Sequence, residues 1–258
     1  MISWLESLPT LVTGILVVGG FVALTLVLGY LVGTFTSLEI RTAHNDRAGF
    51  ILAVIGVIYA VLLAFVAISV WDRFNQAQAR SYNEAAALAA IYRDAVSFPQ
   101  GGRVRTALRD YAAAVVEDEW PRMNRGHRSE LADRRLAVAD GYIRALPVTS
   151  PRLQDIHTQM LAAMDTVLTD REERLTVDLR GINVLMWFVL IAGAFITVGF
   201  TFLFGFEATV MQQLMIGSLS LLIGMVLFLI LALDYPYRGG ISVQPAAFEA
   251  LLSNFTHP

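Results

Sequence analysis

The side chains of this chain that can do chemistry are few, and their spacing does not suit catalysis. Its four histidines, His44, His127, His157 and His257, show none of the one-turn pairing by which a helix holds a metal, and no serine sits in a Gly-x-Ser-x-Gly turn. Cysteine is absent, which removes thiolate nucleophiles, disulfides and cysteine-based zinc sites. The expectation is therefore no enzyme, no cofactor and no metal. What remains is charge at a few marked places. In the run His44-Asn45-Asp46-Arg47, Asn45 or Asp46 can cap the helix that starts there, or Asn45, Asp46 and Arg47 can form the mouth of an ion path. Both readings stay open on sequence. Glu207 and Asp234 flank the last apolar stretch, too shallow to demand a role inside a membrane. The triplet Glu117-Asp118-Glu119 reads as a solvated face that needs no ion.

These residues are positioned by four stretches that carry no charge at all, residues 7–38, 48–71, 181–206 and 208–233. A hydrocarbon core about 30 Å thick needs roughly 20 apolar residues of helix, and each stretch reaches that length. Backbone groups in lipid must bond within their own segment, so each is a helix despite its β-branched runs. The fold class expected is an all-α membrane protein with four transmembrane helices and a cytoplasmic helical insert between the second and third. Its parts are residues 1–71 with spans one and two, 72–180 as the insert, 181–233 with spans three and four, and 234–258 as a cytoplasmic tail. Arg73, Arg80, Arg171, Arg174, Arg180 and Arg238 lie near span ends on the insert side, against Arg41 and Arg47 opposite. The positive-inside rule then places the insert and both termini in the cytoplasm, in a multi-pass protein of an inner membrane. The first span lacks a basic leader and is too long for a signal peptide, so it reads as a retained anchor.

Residues 72–180 hold sixteen Arg against sixteen Asp plus Glu, and the whole chain has a net charge of −3. No single-sign field points to nucleic acid. Apolar residues recur at helical spacing throughout this insert. Phe74, Ala77, Ala85, Leu88, Tyr92 and Val96 carry the second span onward as one helix until Ser97-Phe98-Pro99-Gln100-Gly101. Val104, Leu108, Tyr111, Val115 and Trp120 mark a helix from about Arg103 that should stop near Pro121. Ser129 should cap a third helix closing before Pro147, and Ser150-Pro151 should open a fourth running to Gly181, where the third span begins. Leu153, Ile156, Met160, Met164, Val167, Leu168 and Leu175 form its stripe. Two long apolar stalks with only two short helices between them imply a homo-oligomer, held by stalk and membrane contacts.

Two features of the spans bear on assembly and transport. Gly29 and Gly33 form a GxxxG pair that lets helix backbones approach, for packing or for oligomerisation. The second span carries Ile58, Leu62, Phe65 and Ser69 at steps of four, three and four, which in an oligomer stack as rings of a pore whose apolar neck gates by dewetting. The same face can instead pack on the first or third span.

The runs His44-Asn45-Asp46, Ala48-Gly49-Phe50, Gly56-Val57-Ile58-Tyr59-Ala60-Val61-Leu62-Leu63-Ala64-Phe65-Val66, Glu84-Ala85, Glu119-Trp120-Pro121 and Leu233-Asp234-Tyr235-Pro236-Tyr237-Arg238-Gly239-Gly240 resemble the bacterial bestrophin-like family over nearly the whole chain. That family is in turn distantly similar to the bestrophins, pentameric anion channels with four membrane helices per subunit. The resemblance implies a homo-oligomer, a pentamer by analogy, whose partners are its own copies, membrane lipid and anions, and which conducts chloride passively past a neck on the second membrane helix. Animal bestrophins carry an acidic calcium-binding cluster after the fourth helix. Here Asp234 stands alone, so calcium activation is not implied, and Phe65 is the only aromatic on the chosen neck face. The competing class is a membrane-anchored interaction or sensor protein whose helical insert binds a partner.

Overall fold

The structure is a computed structural model that describes residues 10–42, 45–179, 181–205 and 209–256. His44, Arg180, Glu207 and His257 lie outside the described residues, as does the side chain of Asp46. All regular elements among the described residues are helices. Helix α1 comprises Thr10–Gly14, a π-turn Ile15–Gly19 and Gly20–Phe35; α2 is Leu38–Thr42, α3 Asn45–Asp94 and α4 Gly101–Ala114. A π-turn Val115–Glu119 and the turn Trp120–Met123 extend α4, and then come α5 at Glu130–Arg144, α6 at Pro151–Leu179, α7 at Val184–Thr201, α8 at Thr209–Leu233 and α9 at Ala246–Thr256. Four of these helices are long and apolar enough to cross a membrane: α1, α3, α7 and α8. The chain divides into one compact unit of residues 1–72 and 182–234 and another of 73–181 and 235–258.

In the first unit, small residues let α8 lie close against α1. At Gly29 a Cβ would come within 2.7 Å of Ile216, and at Gly224 within 3.4 Å of Val18. The GxxxG glycine Gly29 is thus used for packing inside the chain. Thr25 donates to Ser220 at 2.8 Å, both fully buried, so a polar pair is satisfied between the two spans. Helix α3 meets α7 through Tyr59, whose ring lies where Gly193 has no side chain and whose hydroxyl donates to the Leu190 carbonyl at 2.8 Å. Asn183 begins α7, its side chain accepting from the Leu185 N–H at 2.9 Å. A non-helical stretch at 181–183 therefore precedes the third span, and the long fourth insert helix ends at Leu179.

The second unit has a continuous apolar core. The expected stripes are seated in it: Val104, Leu108, Tyr111 and Val115 on α4, Ala77, Ala85 and Leu88 on α3, and Met160, Met164, Val167 and Leu175 on α6. Val96 and Leu168 depart from their stripes and are exposed. Ser129 caps α5 by accepting from Ala132 N–H at 3.0 Å, and Ser150 accepts from Leu153 N–H at 3.3 Å at the start of α6. Gly101 closes the turn after α3, where a Cβ would lie 1.7 Å from the Ala95 carbonyl oxygen.

Three expectations are corrected here. Helix α4 does not stop at Pro121. The Trp120 N–H reaches back five residues to Val115, and this widened turn accommodates a residue that has no N–H, so helix resumes to Met123. The stalk stripes are not left for neighbouring subunits either. Residues 235–256 fold back as a further wall: Phe248, Leu251 and Phe255 of α9 are buried, Phe255 stacks on Tyr92 with ring centres 3.8 Å apart, and Trp120 donates to the Val243 carbonyl at 3.0 Å. Third, the acidic triplet is not one solvated face. Glu117 is exposed, whereas Glu119 is fully buried and ion-paired.

Candidate pore face and a buried ion cluster

Helix α3 presents two apolar faces in the first unit, and the chain fills only one. Tyr59, Leu63, Val66 and Val70 are buried, Tyr59 against α7. On the opposite side Ile58 and Phe65 are 66% and 67% exposed, Ser69 is exposed and Leu62 is half-buried. The expected pore-lining residues therefore share the face left without a partner in the chain, and packing on the first or third span falls to the other one. Ser69 donates its hydroxyl to the Phe65 carbonyl at 2.8 Å, satisfying its proton locally and leaving its lone pairs on the free side.

The residues proposed for the mouth do different things. Asn45 is clamped to the loop between the last two spans: its Nδ2 donates to the Gly205 carbonyl and its Oδ1 accepts from the Gly205 N–H, both at 3.0 Å. This two-way bond makes Asn45 a tether of that loop. Arg47 is exposed. Arg41, which the sequence marks only as a charge near a span end, donates to the Gln212 side chain at 3.3 Å while Gln212 donates to the Phe204 carbonyl at 3.2 Å. At the other end of the spans, Asp234 is buried and accepts from the Ile182 N–H at 2.7 Å and Trp187 Nε1 at 3.4 Å. It ties the end of α8 to the segment that starts α7.

The second unit holds a cluster that the sequence reading passed over. Arg174 on α6 is fully buried, with Nε 2.9 Å from Glu84 of α3 and Nη2 2.6 Å from Glu119 of the α4 extension. Arg171 pairs with the same Glu119 and, at 2.7 Å, with Asp133 of α5. Tyr111 donates to Glu84 at 2.5 Å, and the Arg174 guanidinium stacks 4.9 Å from Trp120 and 5.7 Å from Phe248. Burial pushes the Glu84 carboxyl above its ordinary value, with Arg174 and Tyr111 offsetting only part of that. Burial acts the same way on Glu119, but two arginines outweigh it and hold that carboxyl below its usual range. The cluster joins four helices and the C-terminal segment. A sequence signal existed, because Glu119 stands four residues after Val115 and Arg171 and Arg174 stand four and seven after Val167, on stripes otherwise apolar. Among the described residues no group of three His, Asp or Glu is placed to hold a metal ion.

Four helices able to span a bilayer, a long second one running into a helical unit, and a C-terminal segment folded back on that unit define an all-α membrane protein of bestrophin type. The chain belongs to the bestrophin-like family, whose Bestrophin-like domain matches residues 19–248. Its fold is similar to that of a bacterial bestrophin homologue from Klebsiella pneumoniae. A variant of that protein superposes with a TM-score of 0.70 at 12% identity, covering 93% of this chain and 99% of that one. A second structure of the Klebsiella pneumoniae homologue gives a TM-score of 0.64 at 13% identity, covering 92% and 99%. No curated protein sequence matches the chain.

Proposed function

We propose that this chain assembles as a homo-oligomeric channel of an inner membrane, with α3 of each copy lining a pore through Ile58, Leu62, Phe65 and Ser69. The observation that carries the reading is the free face of α3. A helix flanked by other spans buries Tyr59, Leu63, Val66 and Val70 and yet keeps Ile58, Phe65 and Ser69 uncovered. Ringed about an axis, those side chains make a narrow apolar neck that ends at a hydroxyl, the arrangement that gates by dewetting. Subunits in a closed ring meet through two different patches, and the uncovered spans supply apolar surface for that contact. The Arg excess near its span ends supports a cytoplasmic position for the unit of residues 73–181 and 235–258. Chloride is the ion implied by the family's distant similarity to the bestrophins.

The test is passive flux through purified protein in liposomes, with chloride and potassium followed separately under matched gradients. Salt-driven flux that scales with the amount of assembled protein supports a channel. Absence of any flux from intact oligomers, across a range of pH and calcium, points to the anchored interaction protein.

A further inference from the structure

Arg41 is a cation that the chain leaves half served. Its Nη1 reaches only two neutral oxygens, Gln212 Oε1 at 3.3 Å and the Phe204 carbonyl at 3.5 Å, and its Nε is buried without a hydrogen-bond partner. Among the described residues no carboxylate forms an ion pair with it, and Glu39, two residues away on α2, is exposed. This end of the spans holds Arg41 and Arg47 against Glu39, Asp46 and Glu207, so it carries no positive field and any recognition rests on the one guanidinium. A buried donor left unbonded calls for an acceptor, and the planar fork of an arginine fits the paired oxygens of a phosphate.

The guanidinium stands over Gly33, where a Cβ would lie 3.8 Å from Nη1 and 4.0 Å from Nη2, and Gly33 follows Leu26 by two turns on the same side of α1. Leu26 belongs to a groove of about 530 Å³ between α1 and α8. Val22 and Leu26 wall it on one side and Val210, Leu214, Gly217 and Leu221 on the other. From Val210 to Leu221 the helix rises about 17 Å, close to half of a hydrocarbon core about 30 Å thick, so the groove is one leaflet deep. Of its two polar side chains, Ser218 is satisfied by the Leu214 carbonyl at 2.7 Å. The other, Gln213, lies near the Val210 end, next in sequence to the Gln212 that holds Arg41.

We propose that each chain keeps one phospholipid as a resident ligand, its phosphate on Nε and Nη2 of Arg41 and one acyl chain along the groove between α1 and α8. The phosphate supplies the acceptor that the buried Nε lacks, in a charge-assisted bond. The acyl chain fills apolar surface and strands no polar group. A free phosphate would serve Arg41 and leave the groove unused, whereas a neutral diacylglycerol would fill the groove and leave Arg41 unserved. The assignment is independent of whether the protein conducts.

Native mass spectrometry of the purified protein, delipidated and then offered phosphatidylethanolamine, a diacylglycerol of the same chains, or glycerol phosphate, tests this. One phosphatidylethanolamine per chain should be retained, and neither of the others. Arg41→Gln should lower retention roughly ten-fold or more, the worth of a hydrogen bond to a charged group. Gly217→Leu should lower it as well with Arg41 intact, because a Cβ there meets Leu26 at an ordinary 3.6 Å and the longer side chain occupies the groove. Added phosphatidylethanolamine should also raise the thermal midpoint of delipidated wild type and not that of Arg41→Gln. Equal retention of diacylglycerol, or phospholipid retention unmoved by both substitutions, overturns the assignment. Glycerol phosphate held as tightly as the lipid makes Arg41 a free-phosphate site and overturns it too. A wild type that retains no lipid while Gly217→Leu breaks the oligomer gives the groove to a second copy of the chain instead.

Discussion

Arg174 is a full positive charge taken entirely out of water, and it is tolerable there because Glu84 and Glu119 both reach it and Met123 Sδ, Trp120 and Phe248 cover the rest. Breaking such a pair from one side is far costlier than never having built it, since it strands the partner charge. Arg174→Met leaves two buried carboxylates, and a loss of about 3–5 kcal/mol is expected, read as a large drop in the thermal midpoint of the detergent-solubilised protein. Tyr111→Phe removes one donor to Glu84 and should cost less, about 1–3 kcal/mol. The two acids have opposite pH signatures. Glu119 is held low in the fold, so its contribution is present above the ordinary carboxylate pKa and is lost as pH falls through its folded value. Glu84 is raised, so its contribution is full below the ordinary value and fades as pH rises through the folded one. Glu119→Gln should therefore flatten the acid limb of the stability profile, and a limb as steep as wild type would count against this assignment.

Helix α3 shows how far elements could be read from sequence. Its length and its end at Phe98-Pro99 were legible because periodicity and breakers are local, as were the Ser129 cap and the Ser150-Pro151 start. Pro121 misled because a π-turn, which leaves no compositional mark, absorbs it. Which side of α3 stays free was not legible, since both Ile58 and Leu63 are aliphatic and only the partner helix distinguishes them. Long-range pairings were equally hidden: Asn45 bonds Gly205 across 160 residues, and the tail reaches Ala77 through a Tyr237 hydroxyl donating at 2.7 Å across a like separation. The burial of α9 yields a prediction on this scale. Phe248 is fully covered, so Phe248→Ala should cost about 3–5 kcal/mol and loosen the C-terminal helix, measured as faster amide exchange over residues 246–256.

At the scale of the whole molecule, the covering of the insert stripes by α9 moves the case for assembly into the membrane, to the uncovered face of α3. Orientation is checked first: in intact cells an impermeant thiol reagent should spare a cysteine placed at Asn124 and modify one at Thr42, and the reverse pattern would invert the topology. Conduction follows from the neck. If Ile58, Leu62 and Phe65 form stacked apolar rings, water leaves the constriction and an ion faces a dehydration barrier, so cutting all three to Ala widens and wets it and conductance should rise. The half-buried Leu62 makes this variant double-edged, because buried large-to-Ala changes cost about 2–5 kcal/mol, and its oligomer must be shown intact before current is compared. Leu63→Ala is the matched control. It removes from the filled face the same group that Leu62→Ala removes from the free one, so it should weaken packing without raising conductance. A rise from Leu63→Ala and none from an intact triple variant would move the pore to the other side of α3.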